Sequence, residues 1–493
     1  MNADVVIAGA GPTGLMLAAE LRLAGADVLV LDRLPGPTGQ SRALGLNPRA
    51  LELFDQRGIL DRFADLRVIT GAHYGALPQP LDFGRLDSPH GAMLVPQSRT
   101  ERELCAWAQE LGARVRYGHE VLGFTQTPDQ VDLTVRGPDG ESRVTAAYLV
   151  GCDGSRSAVR RAAGIGYPGT PSTVDALMAD VSGADLSFKF FERGERGLWA
   201  VFPVTPEISR IVVYAFDRPP VRGAAPPDFA EIREAALRVA GIDLGGATAH
   251  WVGRHGNTTR LAERLRAGRV LLAGDAAHVV PPAGGQLLTC ALHDAVNLGW
   301  KLAAQTAGWA PPGLLDSYHD ERHPAAARVI LNARVQNELM AAGENAEALR
   351  TLFTELLALD EVNATLSEQL SGVGVRYGTH EGDHPLLGVR LPHRRLATDT
   401  GPTTTTRLLR RARGVLLVLD GGAADPARRW RGRVDTVRAA VLDDAEVLGG
   451  VPALLVRPDG HIAWVGGTGS GADGLDGALR RWFGEPSHGG AAR

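Results

Sequence analysis

Cysteine is scarce in this chain. Only Cys105, Cys152 and Cys290 are present in 493 residues, too few and too scattered for a disulfide framework or a thiolate zinc site. That points to a reducing compartment, and a cytoplasmic location is expected. Long apolar runs are also missing. None reaches the roughly 18 residues of a membrane span, and no cationic leader precedes the first strand-like run. Positive charge is not in excess: 52 Lys and Arg face 56 Asp and Glu, a net charge of −4, so the global basic field that nucleic acid requires is absent. What remains is a soluble globule, and its length predicts two or three domains rather than one core.

The most informative stretch is Val270-Leu271-Leu272-Ala273-Gly274-Asp275-Ala276-Ala277-His278, followed by Val279-Val280-Pro281-Pro282-Ala283-Gly284-Gly285-Gln286. A buried strand ends in Gly-Asp, a Pro/Gly turn follows, and a helix runs on through Leu288, Leu292, Ala295, Leu298 and Leu302. Such a strand–turn–helix exposes backbone amides and one carboxylate to a ligand.

The first residues match it. Asp4–Ala8 is strand-like, Gly9-Ala10-Gly11-Pro12-Thr13-Gly14 is a glycine turn, and Leu15–Ala24 is an apolar helix that Gly25 caps. Val28–Asp32 is a second strand ending in an acid. Strand, glycine turn, helix, strand and acid form the dinucleotide fingerprint in its full context. The glycines permit the tight turn and close backbone approach, the helix N-terminus attracts phosphate, and Asp32 is placed to accept from ribose hydroxyls.

Two further blocks complete a pattern: Leu149-Val150-Gly151-Cys152-Asp153-Gly154 with Arg156 and Arg160 behind it, and Leu314-Leu315-Asp316-Ser317-Tyr318 through Glu321-Arg322-His323-Pro324. Together the four blocks resemble the single-component (class A) FAD-dependent aromatic hydroxylases, the para-hydroxybenzoate hydroxylase-like family. Within it the chain is most similar to actinobacterial aromatic polyketide hydroxylases, which carry an added C-terminal thioredoxin-like domain. The resemblance implies an α/β fold: a Rossmann-like FAD-binding domain interleaved with a β-sheet substrate domain, plus the thioredoxin-like domain. The boundaries expected are 1–72, 96–172 and 266–372 for the FAD domain and 73–95 with 173–265 for the substrate sheet. A connector over 373–412 leads to a thioredoxin-like domain over 413–493, which has no cysteine and so no dithiol chemistry.

The resemblance also assigns roles. Gly9, Gly11, Pro12, Thr13, Gly14 and Asp32 would hold the ADP half of FAD. Arg42 would lie near the pyrophosphate and Gln97 near the ribityl chain; the plain alternative for each is a solvated polar residue. Arg33 could lie beside the adenine or form a surface ion pair. Asp153 would serve FAD and the transient nicotinamide, its alternative being an ordinary Asp-Gly turn. Gly274 and Asp275 would meet the ribityl chain, and Pro282, Gly285, Gln286, Leu287 and Leu288 the flavin ring. The catalytic environment is thus the turn at Pro282, Leu287 and Leu288, with no side-chain base assigned. His278 reads as structural.

The chain departs from the family at one place. Where members read Gly-Gly-Gln-Gly-(Met/Leu)-Asn-(Thr/Leu)-Gly, this sequence has Gly284-Gly285-Gln286-Leu287-Leu288-Thr289-Cys290-Ala291. Leu287 brings a Cβ to a glycine position, which could displace the flavin or the turn. Non-covalent FAD is expected; attachment through Cys290 or His293 is the alternative.

The implied activity is that of an FAD-dependent monooxygenase, consuming NADPH or NADH and O2, that hydroxylates a polycyclic aromatic polyketide through a flavin C4a-hydroperoxide in secondary-metabolite biosynthesis. Two alternatives stay open: Baeyer–Villiger or epoxidising oxygenation, and a degenerate, non-redox binding protein. Trp199, Phe202, Tyr214 and Trp251 are candidate pocket walls. No metal, membrane or nucleic-acid partner is expected; a homodimer is compatible with the sequence.

Overall fold

A computed structural model describes residues 2–220, 227–378, 384–419, 425–443, 445–448, 450–467 and 472–486. The first apolar run forms the strand Asn2–Ala8, which lies parallel between Val28–Asp32 and Gly140–Gly151. Arg114–Tyr117 extends the parallel set on one side and Val270–Leu272 on the other. Val5, Val6, Ile7 and Val270–Leu272 are fully buried, the continuous apolar reading expected of strands covered on both faces. Val131–Gly137 folds back on Gly140–Gly151 through the Pro138-Asp139 turn, the hairpin that Pro-Asp-Gly predicts.

Two helices cover the switch point of this sheet. Pro12–Leu23 follows the first strand, and Gln286–Thr306 follows the Gly274–Gly285 turns. They approach closely because Gly299 has no side chain: a Cβ there would lie 2.5 Å from Cβ of Glu20.

A second, antiparallel sheet runs in the order Lys189–Gly194, Gly197–Pro203, Ser209–Ala215, Asp175–Ser182, Thr248–Gly256. Alternation splits its side chains between two faces. Leu177, Ala179, Ile211 and Val213 pack on the helix Phe229–Ala240. Met178, Val212, Phe202, Tyr214 and Trp251 make the other face.

The segment 73–95 does not join this sheet, contrary to the expectation above. Its strands are only two or three residues long. Leu81–Asp82 pairs with Gly71–Ala72, and Ala92–Leu94 pairs with Gly45–Leu46 and Val68–Ile69. Tyr74, Leu77, Leu81 and Phe83 pack instead with Leu339, Leu357 and Leu370 of the later helices.

The expected connector is not structureless either. Arg395–Thr398 and Gly401–Thr404 form a hairpin that joins the C-terminal sheet. Its β-branched threonines suit strands, and Leu396 is fully buried; residues 379–383 lie outside the described residues. In that sheet Gly414–Val418 pairs in parallel with Val434–Val441 and antiparallel with Ala453–Val456, which pairs with Ile462–Val465. The helix Ala472–Phe483 covers one face through Leu475, Leu479 and Phe483. Buried polar groups dock this unit on the first sheet's helices. Arg57 donates to the carbonyls of Leu409 and Pro458, and Arg49 to that of Asp459.

Candidate functional site: a cleft between the parallel sheet and the antiparallel sheet

The glycine turn after the first strand is built for backbone approach. Gly9 has φ +109°, and a Cβ on it would lie 2.2 Å from the carbonyl oxygen of Cys152. A Cβ on Gly14 would lie 2.0 Å from the carbonyl oxygen of Gly9. These two glycines therefore shape the turn, while Gly11, Pro12 and Thr13 line the cavity beyond it. Asp32 closes the turn: its carboxylate accepts from the amides of Ala10 at 2.8 Å and Leu34 at 2.9 Å. Arg33 is exposed and lies outside the cavity lining.

The cavity holds about 1490 Å³. Asp275 opens into it although protein surrounds the site; burial pushes its carboxyl up, and the charges of His278 and Arg42 pull it back. No hydrogen bond to that carboxylate exists among the described residues, so it is free to accept from a ligand. Gly274 is left-handed (φ +62°), and a Cβ there would strike Oγ1 of Thr13 at 2.5 Å. The Gly-Asp turn and the fingerprint turn thus touch. Arg42 and Gln97 line the same space. Gln97 is held by the Ala43 amide, which donates to it at 3.1 Å, and by its own bond to Glu101 at 2.8 Å.

Gly284 and Gly285 are both left-handed, at φ +67° and +63°, and aim the start of Gln286–Thr306 at the cavity. The first amides of that helix have no intrahelical acceptor and carry its positive dipole end. Pro282, Gly285, Leu287 and Leu288 line the cavity here; Gln286 is turned inward and buried. Leu287 sits inside the helix, and among the described residues the positive-φ non-glycines are Ala76 and Ala412. The family's glycine is therefore not needed for backbone conformation at this position. What the substitution changes is the shape of the cavity wall.

Asp153 caps a short helix with one carboxylate oxygen, while its buried Oδ1 has no hydrogen-bond partner among the described residues. Its Oδ2 accepts from the amides of Ala158 at 2.7 Å and Val159 at 3.2 Å, at the start of the helix Ala158–Ala162. Its neighbours Cys152, Gly154, Ser155 and Arg156 face the cavity instead.

Behind the helix start lies a buried cluster. His278 Nε2 is 2.6 Å from Asp294 Oδ2, and Arg322 donates to Asp294 Oδ1 at 2.8 Å and to Cys290 Sγ at 3.2 Å. His278, Cys290 and Asp294 bring ligand atoms within 4.8 Å of one another, but the Arg322 guanidinium already supplies the cation. Cys290 and His293 are buried and lie outside the cavity lining.

Opposite the turns stands the antiparallel sheet. Phe202, Tyr214 and Trp251 line the cavity, whereas Trp199 packs on the other face with the helix Phe229–Ala240. Sequence reasoning missed several members of this wall: Phe190, Phe191, Arg210, His255 and, from the 73–95 segment, His73. Asp180 and Arg210 are register partners on adjacent strands, joined at 2.6 and 2.8 Å, with the guanidinium 4.7 Å from the Trp251 ring. Arg210 also donates to the carbonyl of Arg42 at 3.1 Å, tying the sheet to the cofactor side. A buried Asp and Arg on neighbouring apolar strands were the available signal.

The residues present fit an extended dinucleotide with a ring system at its far end: a glycine turn, a free carboxylate, then a helix start. An FAD-binding-domain family model matches residues 2–333, and an aromatic-ring hydroxylase C-terminal model matches residues 384–486. The chain belongs to the FAD-dependent aromatic-ring hydroxylase family. It is 46% identical over 503 aligned residues, covering 99% of this chain and 100% of the relative, to the 12-dehydrotetracycline 5-monooxygenase/anhydrotetracycline 6-monooxygenase of Streptomyces rimosus. It is 43% identical to the dialkyldecalin synthase of Streptomyces rugosporus, covering 98% of this chain and 99% of that one. The solved structure of the Streptomyces rimosus anhydrotetracycline hydroxylase superposes with a TM-score of 0.92 at 45% identity, covering 99% and 100% of the two chains. Membership in the hydroxylase family accounts for the mixed α/β fold and for FAD as the cofactor.

Proposed function

We propose that the protein is an FAD-dependent monooxygenase that hydroxylates a polycyclic aromatic polyketide, with NADPH or NADH as electron donor and O2 as oxidant. The observation that carries this reading is the shared cavity. The helix start at Pro282–Leu288 and the aromatic wall of Phe191, Phe202, Tyr214 and Trp251 face one space. The names of the monooxygenase relatives support it.

When bound, FAD supplies hydride acceptance and dioxygen activation. The chain positions it. Gly11, Pro12 and Thr13 would present backbone to its pyrophosphate, Asp275 would accept from its ribityl hydroxyls, and the amides at Gln286–Leu288 would favour negative charge on its ring. The aromatic wall holds the substrate ring and keeps water out.

The test is incubation with NADPH, labelled dioxygen and a panel of polycyclic phenols. One labelled oxygen atom in the product supports the reading. An isomerised, unlabelled product would instead support a non-redox role. That second reading is favoured by the synthase relative at nearly the same identity and by the Leu287–Ala291 departure.

A further inference from the structure

Most polar groups on the antiparallel wall are already engaged. Arg210 is paired with Asp180, and Arg254 with Glu231 and Asp175. His250 is bonded to Ser182 at 2.8 Å. Two imidazoles differ. His73 and His255 both line the cavity, and Nδ1 of each is buried without a hydrogen-bond partner. No hydrogen bond to Nε2 of either ring exists among the described residues, and neither Nε2 is shut away from the cavity. The Gly256 backbone offers His255 an acceptor that opposes its burial, whereas desolvation is the one cause acting on His73.

Their placement is specific. Tyr214, Ala176 and His255 lie in one row across three strands, on the same face. The Tyr214 and His255 rings meet edge-on over the fully buried Ala176, with centroids 6.1 Å apart. In the next row Gly253 lies beneath Trp251, where a Cβ would come within 2.5 Å of the indole. The wall is therefore flat over this stretch. His73 reaches in from the loop after Gly71–Ala72 and meets the Phe191 ring at 4.8 Å, edge-on. Phe191 in turn lies 5.9 Å from Tyr214. The two imidazoles thus flank one patch of aromatic surface.

Protonation follows from burial. Desolvation pushes both imidazoles down to about 4, so at neutral pH each carries a single proton. An Nδ1–H with no acceptor would be a buried orphan donor. The proton is better placed on Nε2, which faces the cavity and becomes a hydrogen-bond donor to a ligand.

We propose that His73 and His255 are the substrate-positioning donors of this cavity: through Nε2 they hold two oxygens of a planar, uncharged polycyclic phenol or quinone laid on Phe191, Tyr214 and Trp251. This deepens the hydroxylase reading and rests on it for the reaction, but not for the binding. With the wall's two arginines paired, a carboxylated aromatic gains no cation from the sheet itself, and a flat ring system with oxygens at its edges fits better. By fixing those oxygens, the two residues select which ring edge meets the Pro282–Leu288 turn.

The experiment uses the FAD-loaded protein without reductant and follows binding by tryptophan fluorescence. The probes are alizarin, a dihydroxyanthraquinone, and anthracene, a hydrocarbon of the same width. His73→Phe and His255→Phe are each expected to weaken alizarin binding about tenfold, as loss of a neutral hydrogen bond in a dry site should. Anthracene binding and FAD occupancy should stay unchanged, which excludes misfolding. His73→Gln, which keeps an N–H donor near the place of Nε2, should recover most of the alizarin affinity. Equal loss for both probes, or no loss, overturns the proposal. If the alizarin-specific loss appears in a protein that never oxygenates a substrate, the donors stand and the hydroxylase reading falls.

Discussion

The carboxylate of Asp294 accepts the backbone amide of Gly274 at 3.1 Å while the same oxygen bonds His278 at 2.6 Å. Asp294 lies on the helix that begins at Gln286, and Gly274 begins the Asp275 turn. One carboxylate therefore locks the two cofactor-facing turns to each other. Burial alone would raise it, but the charges of His278 and Arg322 outweigh that and hold it below the usual carboxylate range.

Asp294→Ala should then be among the most damaging single changes. It strands Arg322 and His278 in the interior, and removing one partner of a buried ion pair costs about 3–5 kcal/mol. Chemical denaturation should show a loss of that size. A loss under about 1 kcal/mol would mean that water or a neighbour replaces the carboxylate.

Asp275→Ala should behave oppositely. The carboxylate is exposed to the cavity and has no hydrogen bond among the described residues, so its removal should leave thermal stability of the FAD-free protein unchanged. FAD retention should fall by at least about tenfold, as for lost hydrogen bonds to a charged group. Full yellow occupancy per protomer after gel filtration would contradict its assigned role.

Leu287→Gly tests the departure from the family sequence. The residue is helical, so glycine costs about 1 kcal/mol of helix stability. It also removes a side chain from the cavity wall, and FAD should bind more tightly by equilibrium titration. An unchanged or weaker affinity would show that the leucine suits this chain's own flavin position.

Acid should weaken the docking of the C-terminal sheet. Burial raises the Glu321 carboxyl, but Arg457 and Lys301 outweigh it and hold it at about 2, against 4.5 for an ordinary glutamate. A carboxylate depressed in the folded state stabilises above its unfolded value and loses that contribution as pH falls. Between pH 4.5 and about 2 this residue accounts for about 3 kcal/mol of lost stability. Glu321→Gln should flatten that part of the stability–pH curve; an unchanged slope would assign acid sensitivity elsewhere.

Both cofactor turns were legible in the sequence because glycines and prolines mark backbone geometry locally. Gly9, Gly14, Gly274, Gly284 and Gly285 all sit where a side chain would clash or the backbone is left-handed. The helix motif at Glu321-Arg322 was visible, but its partners were not. Arg457 and Asp459 come from a turn more than a hundred residues later. The substrate wall was half legible: alternation marked the strands, yet the face that meets the cavity depends on which side the helix Phe229–Ala240 covers. Nothing local therefore separates Trp199 from Phe202 and Tyr214. His73 had no local signal at all, since its loop reaches the wall only through packing with helices near Leu339 and Leu370.

A cavity shared by flavin and aromatic substrate has a kinetic consequence. Anaerobic stopped-flow mixing of the FAD-loaded protein with NADPH, with and without a bound polycyclic phenol, tests it most directly. The phenol is expected to speed bleaching of the flavin absorbance, and Tyr214→Ala to abolish the acceleration without loss of FAD. Reduction at the same rate with and without every phenol tried, or a flavin that NADPH never reduces, would contradict it.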